Sequence, residues 1–151
     1  MKKSILAMAV LLVTVLSSAF ANKSEINQWA MRSFQKDFVS AKNVSWQQQR
    51  EYSKVTFSLY NRVMFAYYNQ DGELMAVIEN ILSEQLPIPL MTEIKNKYKG
   101  YWISELFEVA TEGQTTYYVT LENSDQKLVL QSDGFDQWSS YKKEKKDYVV
   151  L

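Results

Sequence analysis

Five carboxylates in two short stretches, Glu79 and Glu84, then Glu105, Glu108 and Glu112, are the residues of this chain best suited to acid–base chemistry. A pair of carboxylates cleaves glycosidic bonds when the two face each other across a cleft at a set separation. The spacing argues against that here. On a strand, Glu105 and Glu108 point to opposite faces, and carboxylates interleaved this way read as a solvated surface. The absences narrow the field further. The 151 residues contain no His and no Cys. No Ser-His-Asp or Cys-His nucleophile can be assembled, and no zinc can be held by imidazole or thiolate. General acid–base work would fall to carboxylates, Lys or Tyr. The expectation is a protein that is not an enzyme, with no cofactor and no metal.

Two further stretches invite a chemical reading. Asp71-Gly72-Glu73 suggests a cation loop, since an EF-hand places Gly at position six with oxygen ligands at one, three and five. Counting back from Gly72 supplies Asp71 and Asn69 but puts Tyr67 at position one and Ile78 at position twelve. The count from Gly134, with Asp133, Gln131 and Val129, is worse. Asp-Gly supplies positive φ at little cost, so both pairs are expected to be hairpin turns. "YKKEKKDY", Tyr141 to Tyr148, is a basic run offset by Glu144 and Asp147. It reads as a solubilising terminal segment rather than a nucleic-acid contact.

The beginning of the chain sets the compartment. Lys2 and Lys3 precede an apolar run from Ile5 to Leu16, and Ala19-Phe20-Ala21 offers a cleavage site before Asn22. Residues 1–21 are therefore expected to be a signal peptide, and the mature protein periplasmic or secreted. The apolar run is shorter than the ~20 residues a bilayer span needs, so no stable membrane insertion is expected after its removal. The 17 basic residues less Lys2 and Lys3 face 17 acidic ones, a net charge of about −2. Such a balance gives no reason to expect a nucleic-acid partner.

The elements that position these residues fall into a pattern that occurs twice. Ile26, Ala30, Phe34 and Phe38 recur at i, i+4 with Trp29 beside them, which predicts a helix capped at Ser24 and ending near Ala41. "NVSWQQQ", "SKVTFSLY", "VMFAYYN" and "LMAVIENI" follow as strands. "LPIPLMTEIKNKYKG" restarts the pattern, with Leu90, Ile94 and Tyr98 four apart and Gly100 as a stop. Four more strands follow: "YWISELFEVATEG", "TTYYVTLEN", "KLVLQSD" and "FDQWSSY". At an offset of 62, "FSLYN…NQDG" falls on "VTLEN…QSDG", with Asp71-Gly72 on Asp133-Gly134, while the helices match at 60. Residues 22–151 are expected to be a single domain made of two repeats, about 24–84 and 87–141.

A turn at Asn61-Arg62 would put Val55, Phe57, Leu59, Met64, Ala66 and Tyr68 on one face of the first hairpin. Ala66 leaves room for a helix there. Ser58, Tyr60, Val63, Phe65 and Tyr67 would then form the outer face. A turn at Ser124-Asp125 gives the second hairpin an inner set of Tyr117, Val119, Leu121, Leu128 and Leu130. Its outer set is Tyr118, Thr120, Glu122, Lys127, Val129 and Gln131, the polar face of a one-sided sheet. The aromatic outer face of the first hairpin has two readings. It is an interface, or it is covered by the C-terminal segment (Trp138, Tyr141) or by the second half. A one-residue register error would exchange the faces.

The run "FVSAKNVSWQQQ…SKVTFSLYNRVMFAYYNQDGELMAV" resembles a family of exported PepSY-like domains, also described as β-lactamase-inhibitor-like. The resemblance rests on Ala41, Val44, Trp46, Phe57, Tyr68, Gly72 and Leu74. The second half departs from it: no Trp follows an Ala-x-x-Val after the second helix, and Phe135 and Asp136 stand where the family has Glu-Leu. The resemblance implies an α+β fold with two helices packed on one face of a curved antiparallel sheet, and a role in binding or inhibition. It supplies no catalytic residues. The function expected is an exported, non-catalytic binding module for an envelope protein or peptide. Tyr60, Phe65 and Tyr67 would be its anchors, with Trp102 and Trp138 as lesser ones. The alternatives are a small-ligand or cation-responsive periplasmic sensor and, less favoured, a carboxylate-dependent enzyme on envelope polymers.

Overall fold

In a computed structural model, residues 25–134 and 136–146 are described. The signal expected at residues 1–21 lies outside them, as do Ser24, Phe135 and the C-terminal residues from 147. The fold is α+β; the described residues form two α-helices and an eight-stranded antiparallel sheet in which strand order follows chain order. The chain divides between Val77 and Ile78 into two compact units, each with its own hydrophobic cluster.

The first unit opens with α1 (Gln28–Asp37). Its N-cap is Asn27 rather than Ser24: the Asn27 side-chain oxygen accepts from the N–H groups of Trp29 and Ala30, at 2.8 and 3.4 Å. That satisfies two of the donors a helix start leaves free. The helix stops at Asp37, earlier than the apolar spacing suggested, and a turn carries the chain into β1 (Lys42–Gln48). Then come β2 (Ser53–Leu59), β3 (Arg62–Tyr68) and β4 (Leu74–Asn80). Ala30 and Phe34 bury one helix face against Val55, Phe57, Ala66 and Tyr68, with Phe38, Trp46, Leu59 and Met64 packed around them. The aromatic rings meet tilted or edge-on, Phe34 lying 5.1 Å from Phe57 and 5.4 Å from Trp46.

The β2–β3 turn is Tyr60-Asn61, one residue earlier than Asn61-Arg62. Both residues have positive φ, 50° and 63°, and Leu59 pairs with Arg62. The mirror-image turn suits the right-handed twist of a hairpin, and tyrosine in the left-handed region is a poor advertisement for it. Moving the turn by one shifts the pairing by two. Val55 therefore faces Ala66, and Phe57 faces Met64, so every strand side chain keeps the face expected of it, while Tyr60, expected on the outer face, becomes a turn residue.

The second unit begins within β4 and continues through a 3-10 turn (Ser83–Gln85) to α2 (Ile88–Lys97). Strands β5 (Trp102–Thr111), β6 (Gln114–Glu122), β7 (Gln126–Ser132) and β8 (Ser139–Lys145) follow. Both helices have ten residues, and their starts, residues 28 and 88, are offset by 60. They end alike: Phe38 and Tyr98 donate their N–H to the carbonyls of Phe34 and Ile94. Gly100, with φ of 86°, turns the chain after α2. Leu90 and Ile94 bury α2 against Tyr117, Val119, Leu121 and Leu130, with Leu128 beside them. Glu122 pairs with Lys127 as the expected turn requires, and the Asn123 side-chain oxygen holds that turn by accepting from the N–H groups of Asp125 and Gln126.

The two Asp-Gly pairs are not twins. Gly72 lies in the left-handed region, φ 79°, in a turn where Gly72 N–H donates to the Asn69 carbonyl. Gly134 has no such φ and sits in a bend leading out of β7. There Ser132 Oγ donates to its carbonyl at 2.9 Å, and that side chain stabilises a bend which needs no glycine conformation.

Candidate binding surface on the outer sheet face

Side chains that alternate away from the helices define an outer face in each unit. In the first, Lys54 pairs with Tyr67, Thr56 with Phe65 and Ser58 with Val63. Polar residues of β2 thus lie beside an apolar row on β3. Exposure falls along that row. Tyr60 in the turn is 80% exposed and Val63 51%, Phe65 is half-buried, and Tyr67 has no accessible surface. The Lys54 ammonium sits 4.7 Å from the Phe65 ring centroid and 5.9 Å from that of Tyr67. Desolvation lowers the Lys54 pKa, and the two aromatic faces offset part of that cost. Tyr52 lies 5.7 Å from Tyr67, ring to ring. Burial pushes the Tyr67 phenol far above its usual range, with Tyr52 adding to it, and among the described residues its hydroxyl has no hydrogen-bond partner.

The outer face of the second unit is built around charge. Trp102 pairs with Glu122, Glu105 with Thr120, Phe107 with Tyr118 and Val109 with Thr116. Lys127 lies between Glu105 and Glu122, at 4.0 and 3.8 Å, and Thr120 donates to Glu105 at 3.0 Å. Lys146 reaches Glu122 at 2.8 Å while its ammonium stands 4.9 Å from the Trp102 ring. Hydrogen bonds from Lys146 and Ser104 hold the Glu122 carboxyl below its ordinary value. Trp102 is 52% exposed.

Several expectations change here. Tyr67 belongs to the outer face but is closed off from solvent, so it offers nothing to a partner. Trp138 is 8% exposed and belongs to the core of the second unit. Its indole N–H donates to the Leu90 carbonyl at 2.9 Å and its backbone N–H to the Glu93 carboxylate at 3.1 Å. An aromatic near a charged C-terminal run carries no sequence sign that a helix carbonyl awaits it. The solvated outer face expected of the second hairpin is also revised. Tyr118, Thr120 and Gln131 are buried, and Tyr118 meets Tyr141 edge-on at 5.8 Å. Phe107 and Val109 of β5, which alternation along the second hairpin does not reach, join that face.

Glu105 and Glu108 lie on opposite faces, and the carboxylate nearest Glu105 across Lys127 is Glu122, in a set of ion pairs. Glu105 faces outward beside Thr120, whereas Glu108 pairs with Tyr117 on the helix side. Asp133 accepts hydrogen bonds from Thr116 and Gln131. Among the described residues no cluster of three or more His, Cys, Asp or Glu could hold a metal ion, and no helix is long and apolar enough to cross a membrane.

This architecture has close counterparts among solved structures. A BLIP-like protein of Bacteroides fragilis superimposes with a TM-score of 0.72 at 14% identity, over 86% of this chain and 94% of that one. A DUF2874 family protein of Bacteroides ovatus gives 0.71 at 15% identity, over 85% and 94%. A Bacteroides eggerthii protein with a provisional periplasmic assignment gives 0.68 at 10% identity, over 81% and 90%. No family model matches the chain, and no curated protein matches it by sequence. The chain therefore has the BLIP-like fold, in agreement with the β-lactamase-inhibitor-like side of the resemblance.

Proposed function

We propose that the chain is an exported, non-catalytic binding module that takes an envelope protein or peptide on the outer face of its first unit. The observation that carries this is the row Tyr60, Val63 and Phe65. Val63 and Phe65 are apolar side chains left partly or largely exposed where an outward-facing strand would ordinarily be polar, and Tyr60 adds an exposed ring from the adjoining turn. Aromatic side chains on rigid strands make efficient anchors because little conformational freedom is lost on binding. Trp102, half exposed in the second unit, is a lesser anchor. The BLIP-like fold supports a binding role, and inhibition of an envelope enzyme is the finer form of the same proposal. Export rests on residues 1–21 and on the periplasmic assignment of the Bacteroides eggerthii neighbour. Equal helices at an offset of 60 support the reading of residues 22–151 as two repeats of one unit.

The test is capture from envelope extract after cross-linking, comparing the wild-type chain with Tyr60→Ser/Phe65→Ser. The variant is expected to keep its thermal midpoint and to lose the captured species. If it stays folded and retains every species, the outer face is not the binding surface.

A further inference from the structure

The two Asp-Gly pairs differ in chemistry as well as in conformation. An aspartate followed by glycine can close on itself, because the glycine nitrogen reaches the side-chain carboxyl carbon with no side chain of its own in the way. Closure needs an amide that is free to attack and donors fixed where charge gathers on the carboxyl oxygen. At Asp71 neither is present. The Gly72 N–H is committed to the Asn69 carbonyl at 3.1 Å, and Gly72 is buried against Trp29. Asn69 Oδ1 holds the Asp71 N–H at 3.0 Å, and among the described residues no hydrogen bond reaches the Asp71 carboxylate. At Asp133 both are present. The Gly134 N–H makes only a long contact, 3.4 Å, to Ser132 Oγ, and the surroundings leave room for movement. Asp133 is exposed, yet its Oδ1 accepts from Gln131 Nε2 at 2.6 Å and from Thr116 Oγ1 at 3.4 Å. Gln131 and Thr116 are themselves buried in the sheet, so these donors are held in place before any reaction begins.

We propose that Asp133-Gly134 is a self-modification site, at which the fold promotes cyclisation to a succinimide and onward conversion to isoaspartate, while Asp71-Gly72 is protected. The Gly134 nitrogen forms a bond to Asp133 Cγ, and Gln131 and Thr116 stabilise the charge that gathers on Oδ1. The bond from Cγ to Oδ2 breaks, and Oδ2 departs as water with the carboxyl proton and the amide proton. A water then opens the five-membered imide at either carbonyl. Attack at the side-chain carbonyl restores aspartate. Attack at the main-chain carbonyl leaves the backbone running through the side-chain carbon, which is isoaspartate. The water released in the first step balances the water taken up in the second, so no other reactant is needed. The product lengthens the connection between β7 and β8 by one carbon and moves the carboxylate away from Gln131 and Thr116. This site is separate from the row of Tyr60, Val63 and Phe65 and does not depend on what that row binds.

The test is to incubate the full chain near neutral pH, folded and in guanidinium chloride, and to locate isoaspartate over time by isoaspartyl methyltransferase labelling and peptide mapping. In the folded chain it is expected at residue 133 well ahead of residue 71. In denaturant the two pairs should convert at similar rates, and more slowly than Asp133 does in the folded chain. Gln131→Met should slow the folded reaction at Asp133 roughly three- to tenfold, the scale of one lost hydrogen bond, and leave the rate in denaturant unchanged. Thr116→Val, which leaves the sequence around Asp133 untouched, should act in the same direction and serves if Gln131→Met does not fold. The proposal is overturned if the folded chain forms no isoaspartate at residue 133, or forms it at residue 71 as fast. Conversion of Asp133 that is no faster folded than denatured would also overturn it, as would a folded rate that neither variant alters.

Discussion

The hydroxyl of Tyr67 is buried without an acceptor among the described residues, whereas that of its neighbour Tyr68 donates to Asp37 at 3.3 Å. Adjacent residues of the same type thus make opposite contributions. A buried hydroxyl without a partner carries its desolvation cost uncompensated, about 1–3 kcal/mol, while a made hydrogen bond contributes about 1 kcal/mol net. Tyr67→Phe is expected to leave stability unchanged or raise it by up to about 1 kcal/mol. Tyr68→Phe is expected to lower it by about 1 kcal/mol, because it removes a hydrogen bond that is made. Urea unfolding of the two variants checks this, and a loss in Tyr67→Phe as large as in Tyr68→Phe would show that the Tyr67 hydroxyl has an acceptor after all.

The Asp71-Gly72 turn does more than reverse the chain between β3 and β4. A Cβ on Gly72 would lie 2.6 Å from Trp29 Cβ and 2.7 Å from the Trp29 carbonyl carbon. The start of α1 therefore rests on this turn, and the Asn27 side chain ties the two together by donating to the Gln70 carbonyl at 2.7 Å. Gly72→Ala combines left-handed strain of about 1–2 kcal/mol with a clash against helix backbone, so a loss above about 2 kcal/mol is expected. At Gly134 the nearest atom to an added Cβ is 3.6 Å away and φ is ordinary. Gly134→Ala should stay within about 0.5 kcal/mol of wild type. Chemical denaturation of both variants separates an Asp-Gly pair that is a structural joint from one that only looks like it, and equal losses would contradict the distinction.

Across the molecule, the titration behaviour is set by phenols rather than imidazoles. The chain contains no His, so no ordinary side chain titrates near neutrality. Burial pushes the Tyr67, Tyr68 and Tyr118 phenols above their usual value, with Asp37 adding to the shift at Tyr68 and Asp133 at Tyr118. The folded chain therefore holds these protons more tightly than the unfolded chain does. The stability they confer is fully present below about pH 10, the unfolded tyrosine value, and is lost as pH rises above it. Urea midpoints should be flat between about pH 6 and about pH 9 and then fall, with phenolate absorbance appearing together with loss of structure. Phenolate formation at about pH 10 with the fold intact would mean the three rings are accessible.

Local periodicity alone determined the two helices, seven of the eight described strands and both helix-facing sets of the two hairpins; β8, expected at residues 135–141, instead runs Ser139–Lys145, into the basic stretch read as a solubilising end. A strand face depends only on whether a residue number is odd or even, and for that reason a turn misplaced at Asn61-Arg62 left the face of every strand residue intact and moved only Tyr60, into the turn. The missing His and Cys removed their catalytic chemistry by composition alone. Tertiary structure decided what each outward-facing residue meets. Alternation placed Tyr67 on the same face as Phe65, but it carries no information about depth, and only the packed fold shows one ring closed off and the other still partly accessible. Trp138 was legible as an aromatic and not as a core residue, because its partner is the Leu90 carbonyl, 48 residues away. Asp71-Gly72 was legible as a turn. That its glycine is also required by the start of α1 follows from a distance between segments, and one-dimensional patterning does not encode such a distance.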